Sequence, residues 1–226
     1  MPARDLHIKP FDEGTKTKLE IYRSYVRAWL QVFLHAEAFR GKPFQFFDFF
    51  SGPGEDSTGE PGSPLILLSE LLAVRTEIEQ HRHDIRIFFN DQDAGKIDNL
   101  QQLCSKKSLL WQPRFESLDF ADAFKKVQKE IGLSPSLVFI DQSGVKQITR
   151  NVFNALTQAG TTDFLFFTAS SAKWRLVNCS RRKSTFPKIF HTQTSIVSSR
   201  TNIENGHPRE CSLVISRSKR NRISMV

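Results

Sequence analysis

"FFDFFSGPG", Phe46 to Gly54, sets four phenylalanines around one carboxylate and then breaks into a glycine loop. With Phe44 and Gln45 in front, the apolar run has the length of a strand buried on both faces, and Asp48 falls near its end. A helix signal follows. Ser63 and Pro64 read as a hydroxyl cap and a proline at the first helical position of "PLILLSELLAVRTEIEQH". A strand, a glycine loop and then a helix form the usual frame for a nucleotide-like ligand.

The same alternation runs outward in both directions. Upstream, Leu19, Tyr22, Val26, Trp29 and Phe33 recur at steps of three and four, so "KLEIYRSYVRAWLQVFLHAEAF" reads as an amphipathic helix. Downstream, "IRIFF" is a second strand, and Asp93 caps the helix "AGKIDNLQQLC". "SLLWQ" gives a weaker third strand, and Asp119 can cap "FADAFKKVQKEIG". "SLVFI" is a fourth strand, followed by the helix "KQITRNVFNALTQAG", and "DFLFFTA" is a fifth strand. Strands alternating with helices long enough to cross over predict an α/β fold. It is a Rossmann-like, doubly wound, mostly parallel sheet with helices on both faces. Ligands bind such sheets beyond the carboxyl ends of the strands. The stretches there are "SGPGEDSTGEPGS", "NDQD", "ESLD", "DQSG" and "SSAKW", and each of the first four carries an acid.

Composition bounds the function classes. At 226 residues the chain has the size of one domain with a sizeable core. The polar start shows no secretory signal, and the most apolar helix candidate is too short for a membrane span and holds Glu70. Cys104, Cys179 and Cys211 are far apart, which argues against a zinc knuckle or a disulfide framework and fits a cytoplasmic protein. The six histidines show no metal or triad spacing. The net charge of +8 looks like a nucleic-acid signal, but 12 of the 32 Lys and Arg lie after residue 172, against 2 of the 24 Asp and Glu. The first three-quarters of the chain is therefore slightly acidic.

Three ligand classes compete for the first loop. A nucleoside triphosphate calls for GxxxxGK[ST], and this loop has no lysine or arginine. A dinucleotide calls for GxGxxG opening into a helix; "GPGEDS" lacks the third glycine, and Glu55, Asp56 and Glu60 would repel phosphate. S-adenosylmethionine carries an adenosine and a cationic sulfonium without phosphate, and an acidic strand end with a glycine loop suits it best.

"FFDFFSGPG" with "GSPLILLSELL" resembles motif I of class I methyltransferases, in the variant of the three-Cys-motif partner family. "KTKLEIYRSYVRAWL", "FFNDQD", "FIDQSG" and "DFLFFTASS" are similar to that family in the same order, so the resemblance covers roughly residues 7–175. It implies an S-adenosylmethionine-binding, methyltransferase-like protein with an unsettled acceptor, nucleic acid being one candidate. It also implies a protein partner that carries the three-cysteine motif. By this resemblance and by chemistry, Asp48 either accepts hydrogen bonds from the loop's N–H groups or faces the donor's amino group. Gly52 and Gly54 let the backbone pass under the ribose and methionine. Asp91 ends the second strand, where a carboxylate commonly binds ribose hydroxyls. Asp119 resembles the acid that contacts the adenine amino group, and a helix cap explains it equally well. Asp141 opens "DQSG", at the position that orients the acceptor nitrogen in many N-methyltransferases, so it is a candidate general base or positioning acceptor. The family has proline after this aspartate, whereas this chain has Gln142. That departure favours a second function class, a partner protein with little or no turnover in a defence or mobile-element system.

The pattern divides the chain into a methyltransferase-type domain over 1–175 and a basic, Ser/Arg-rich tail over 176–226. In the tail only "CSLVIS" suggests a strand, so the sheet is expected to be incomplete at its C-terminal end. Three readings compete: a basic arm for RNA or DNA, a divergent end of the fold, or out-of-frame translation. The third accounts best for the abrupt loss of acids and leucines. A basic nucleic-acid-binding module is the weakest function class, because it rests on the tail alone.

Overall fold

In the computed structural model the described residues are 9–107, 109–141, 149–169, 194–199 and 211–217. They form a sheet with helices on both faces, in which five strands are parallel. Helix α1 (Glu13–Leu34) starts where Asp12 accepts a hydrogen bond from Thr15 N–H. After a short 3-10 turn come β1 (Phe44–Asp48), α2 (Ser63–Ala73), α3 (Arg75–Gln80), β2 (Ile85–Asn90) and α4 (Ala94–Ser105). Then follow β3 (Arg114–Glu116), α5 (Phe120–Val127), β4 (Ser136–Ile140), α6 (Arg150–Gln158) and β5 (Thr162–Ala169). Strands β6 (Thr194–Ser199) and β7 (Cys211–Arg217) complete the sheet in the order β3-β2-β1-β4-β5-β7-β6. Strand β7 runs antiparallel to both β5 and β6.

The phenylalanine run works as two alternating faces. Phe44 and Phe46 enter one core with Tyr22, Trp29 and Phe33 of α1, where Trp29 meets both rings edge-on at 5.5 and 5.2 Å. Phe47 and Phe49 enter the other core with Phe120 and Phe124 of α5 and Leu156 of α6. In β4, Leu137 and Phe139 join the first core, and Val138 and Ile140 the second. Burying both faces of a central strand this way contributes about 1.5–3 kcal/mol per large side chain. It also explains why β1 and β4 read as unbroken apolar runs.

Four expectations are corrected. The helix predicted over residues 64–81 is two helices. Nearly all of α2 is buried, whereas α3 buries only Ile78, and the chain changes direction at Val74 (φ −112°, ψ 20°). The N-cap of α2 is Gly62, not Ser63, and the Ser63 hydroxyl points elsewhere. The third strand is Arg114–Glu116, not "SLLWQ"; Leu109 and Trp111 instead pack on the core from a loop. This edge strand pairs on one side only and is partly solvated, so it needs no apolar run. Finally, the sheet is not short of strands at its C-terminal end, because the tail supplies β6 and β7. "TSIVSS" (194–199) holds two apolar residues among hydroxyls, and neither periodicity marks it.

Candidate functional site

Strand order reverses between β1 and β4, which both lie at the centre of the sheet. The crevice beyond their carboxyl ends is where a ligand is held in open α/β sheets. Asp48 ends β1 and Asp141 directly follows β4, so these two acids flank that point.

Asp48 is 1% exposed. Its Oδ1 accepts the Phe50 N–H at 3.1 Å and its Oδ2 accepts the Ser63 hydroxyl at 2.6 Å. Burial pushes its carboxyl up from the ordinary 3.8 to about 7, against the pull of those two hydrogen bonds, and the charges of Asp141 and Asp91 push the same way. The Asp48 side chain therefore shapes the loop from beneath. Burial, and then the Asp48 charge, also raise the Tyr22 hydroxyl above its usual range.

The loop is fastened to β2. Ser51 N–H and Oγ both donate to Asn90 O at 3.0 Å, and Gly52 N–H donates to Asp91 Oδ2 at 3.1 Å. Gly52 (φ 62°) and Gly54 (φ 97°) take left-handed backbone. A Cβ on Gly54 would lie 2.9 Å from Leu100 Cδ1, so α4 presses directly on the loop. The chain then makes a closed excursion, sealed by Gly62 N–H on Gly54 O at 2.7 Å. Asp56 organises that excursion, accepting from Phe11 N–H, Thr58 N–H and hydroxyl, and Glu60 N–H. Its desolvation is outweighed by these four donors, which hold the carboxyl well below the usual range.

Asp91 is half-buried at the end of β2, and its second oxygen accepts the Asp93 N–H at 3.0 Å. Asp93 caps α4 through Gly95 and Lys96 N–H. Asp119 is exposed and caps α5 through Asp122 N–H at 2.9 Å. Asn90, buried at 1% exposure, clamps three segments: its Nδ2 donates to Phe49 O and Leu118 O, and its Oδ1 accepts the Leu118 N–H. Asp141 is ion-paired to Lys18 of α1 at 2.6 Å. The Gln142 departure from the family pattern lies outside the described residues.

The structure thus gathers Asp48, Gly52, Gly54, Asp91 and Asp141 at one edge and gives Asp119 to a helix end beside it. Reading the sequence alone missed Lys18 and Asn90, and it gave Ser63 and Asp56 other roles, a helix cap and a charge against phosphate, than the loop-organising ones they have here. For Asn90 the signal was available: an amide ending a buried strand needs partners for its donors and its acceptor. A cavity of about 310 Å³ lies between α1 and α2, lined by Lys16, Glu20, Arg23, Glu60 and Ile66 among others. Its cations are paired with protein carboxylates, Arg23 with Glu20 and Glu70 and Lys16 with Glu13, and none of the strand-end acids lines it. The strand ends are the better candidate.

No protein-family model matches this chain, and no curated protein matches it either. Among solved structures it is similar to a candidate rRNA methylase from Clostridium thermocellum, at 10% identity and TM-score 0.50, covering 90% of this chain and 97% of that one. It is also similar to an S-adenosylmethionine-dependent methyltransferase from Agrobacterium tumefaciens, at 10% identity and TM-score 0.49, covering 92% of this chain and 62% of that one. The N-methyltransferase NodS from Bradyrhizobium japonicum aligns at 12% identity and TM-score 0.43, covering 92% and 98%. What the chain shares with the first of these is the Rossmann-like α/β fold.

Proposed function

We propose that this chain binds S-adenosylmethionine at the carboxyl edge of β1, β2 and β4 and acts as a methyltransferase-like protein. The observation that carries this reading is the contact between Gly52, in the loop after β1, and Asp91, at the end of β2, beside the strand-order reversal. A glycine turn without cationic side chains is pinned by its amide to a half-exposed carboxylate that still has lone pairs to offer. That acceptor suits ribose hydroxyls and a sulfonium better than phosphate. Asp91 would hold the ribose, and Gly52 and Gly54 would let backbone approach the methionine portion. Asp48 and Ser63 keep the loop in shape from below. Asp119, already spent on a helix cap, has an exposed oxygen for an adenine amino group. Asp141 would face the acceptor. The cofactor supplies an electrophilic methyl group when bound; the chain's part is to position the acceptor and exclude water.

The Lys18–Asp141 pair favours a second reading, in which the chain retains cofactor binding but has little turnover and acts as a partner protein. In that pair Asp141 Oδ2 is occupied by an internal ammonium rather than open toward an acceptor. The resemblance to the three-Cys-motif partner family points the same way, and the acceptor class, nucleic acid included, belongs to the first reading.

Calorimetric titration with S-adenosylhomocysteine, with ATP and NAD as controls, tests the shared core of both. Saturable binding of the homocysteine compound alone, lost in Asp91→Ala, supports it. No binding by a folded chain sinks it. Turnover over a panel of RNA, DNA and protein acceptors then separates the two readings.

A further inference from the structure

Lys18 Nζ and Asp141 Oδ2 meet at 2.6 Å, joining α1 to the end of β4 across 123 residues of chain. Their side chains are 17% and 24% exposed, so the pair is partly buried and still reachable. Among the described residues Nζ has no second hydrogen-bond partner, and Asp141 Oδ1 has none. An ammonium carries three donors and a carboxylate about four acceptor sites, so most of this pair's capacity is unspent. The Phe167 ring, 5.8 Å from Nζ to its centroid, gives the ammonium an aromatic neighbour.

The surroundings are acidic. Asp48, Asp91 and Asp141 share one electrostatic neighbourhood. Such a field favours the sulfonium and the α-ammonium of S-adenosylmethionine and opposes its carboxylate. A carboxylate bound here needs a local cation, and Lys18 is the cation held against this group of acids. A pre-formed ammonium–carboxylate pair with free valences is complementary to an α-amino acid zwitterion. Each ion of the pair can take the opposite ion of the ligand without being left unpaired.

Resting on the cofactor reading above, we infer that the Lys18–Asp141 pair is the subsite for the amino-acid end of the cofactor, with Lys18 taking its carboxylate and Asp141 its ammonium. Lys18 is then a residue that decides cofactor specificity, and α1 is part of the binding site.

The test compares three ligands by calorimetry: S-adenosylhomocysteine, its decarboxylated analogue and 5′-methylthioadenosine. Wild type is expected to bind the homocysteine compound about tenfold more tightly than the decarboxylated analogue, the size of one charge-assisted contact. Lys18→Met should abolish that preference while leaving 5′-methylthioadenosine within about twofold of wild type, and Lys18→Arg should restore part of it. Asp141→Asn should weaken both ligands that carry the amino group. Equal binding of the homocysteine compound and its decarboxylated analogue by wild type overturns the inference even if Lys18→Met does not fold. So does Lys18→Met weakening all three ligands alike, which would make the pair a helix latch only. So does Asp141→Asn leaving the amino-bearing ligands unchanged, which would return Asp141 to the acceptor. In each of those cases binding itself persists and the cofactor reading stands; no binding of any ligand by folded wild type removes both.

Discussion

The contribution of Asp48 to stability is expected to fall as pH rises from acid to neutral. A buried carboxyl that keeps its proton up to about pH 7 differs from the unfolded group near 3.8 by about 3 pH units, or about 4 kcal/mol. The folded state binds the proton more tightly, so the contribution of Asp48 is fully present below about pH 4 and is lost as pH rises through 7. Between pH 5 and 8 the loss amounts to about 2–3 kcal/mol. Asp48→Asn isolates it. The amide can accept from Phe50 N–H with its oxygen and donate to Ser63 Oγ with its nitrogen, which reproduces the neutral acid without its titration. Guanidinium unfolding of both proteins at pH 5, 6, 7 and 8 gives the comparison, and groups that titrate alike in the two cancel in the difference. The wild type should lose about 2–3 kcal/mol relative to the variant across that range. Parallel profiles would mean that Asp48 stays ionised throughout, with the hydrogen bonds from Ser63 and Phe50 outweighing burial, and the reasoning would be wrong.

Gly54→Ala should destabilise by about 1–3 kcal/mol, because it imposes left-handed backbone on a residue with a Cβ and drives that carbon toward Leu100; an unfolding midpoint equal to wild type would refute the close packing of α4 on the loop. Asp56→Ala should open the excursion over residues 55–61, seen as faster limited proteolysis there with the sheet intact. Because the Asp56 carboxyl is held below its usual range, its support is present above pH 4 and is lost only as pH falls further, so cleavage of wild type should stay slow at pH 5. Cys104 is buried, and burial pushes its thiol up to about 11. Thiol reagents at pH 8 should therefore leave the Cys104 peptide unlabelled by mass mapping until the protein unfolds, and fast labelling would show that α4 opens locally.

The central strands were legible because both faces of β1 and β4 are buried, which leaves a continuous apolar run in the chain. The helices were legible where one stripe faces the sheet, as in α1. Edge elements were not: β3, at three residues, is too short for a periodicity to register, and β6 is neither apolar throughout nor alternating. The α2–α3 break was hidden because no glycine or proline marks Val74. Lys18 could not be singled out, since an exposed lysine on a helix and one aimed at a strand end 123 residues away look the same in sequence.

The acids at the strand ends carry a more general lesson. Each of the first four loops held one, and the pattern read as a ligand-binding ring. In the fold most of them serve the backbone. Asp48 takes the N–H two residues on, as does Asp91; Asp93 takes those two and three on, and Asp119 the one three on. A strand that stops must satisfy the amides of the turn that follows, and a short carboxylate does this wherever a helix or turn begins. Acids at strand ends are therefore expected in this fold with or without a ligand. What distinguishes a ligand-facing acid is the kind of partner it has. Asp91 reaches across to the glycine turn of another strand, and Asp141 meets a side-chain cation from α1. By that criterion Asp91 and Asp141 are the acids whose partners set them apart, while the Asp93 and Asp119 carboxylates bond the backbone of their own turns.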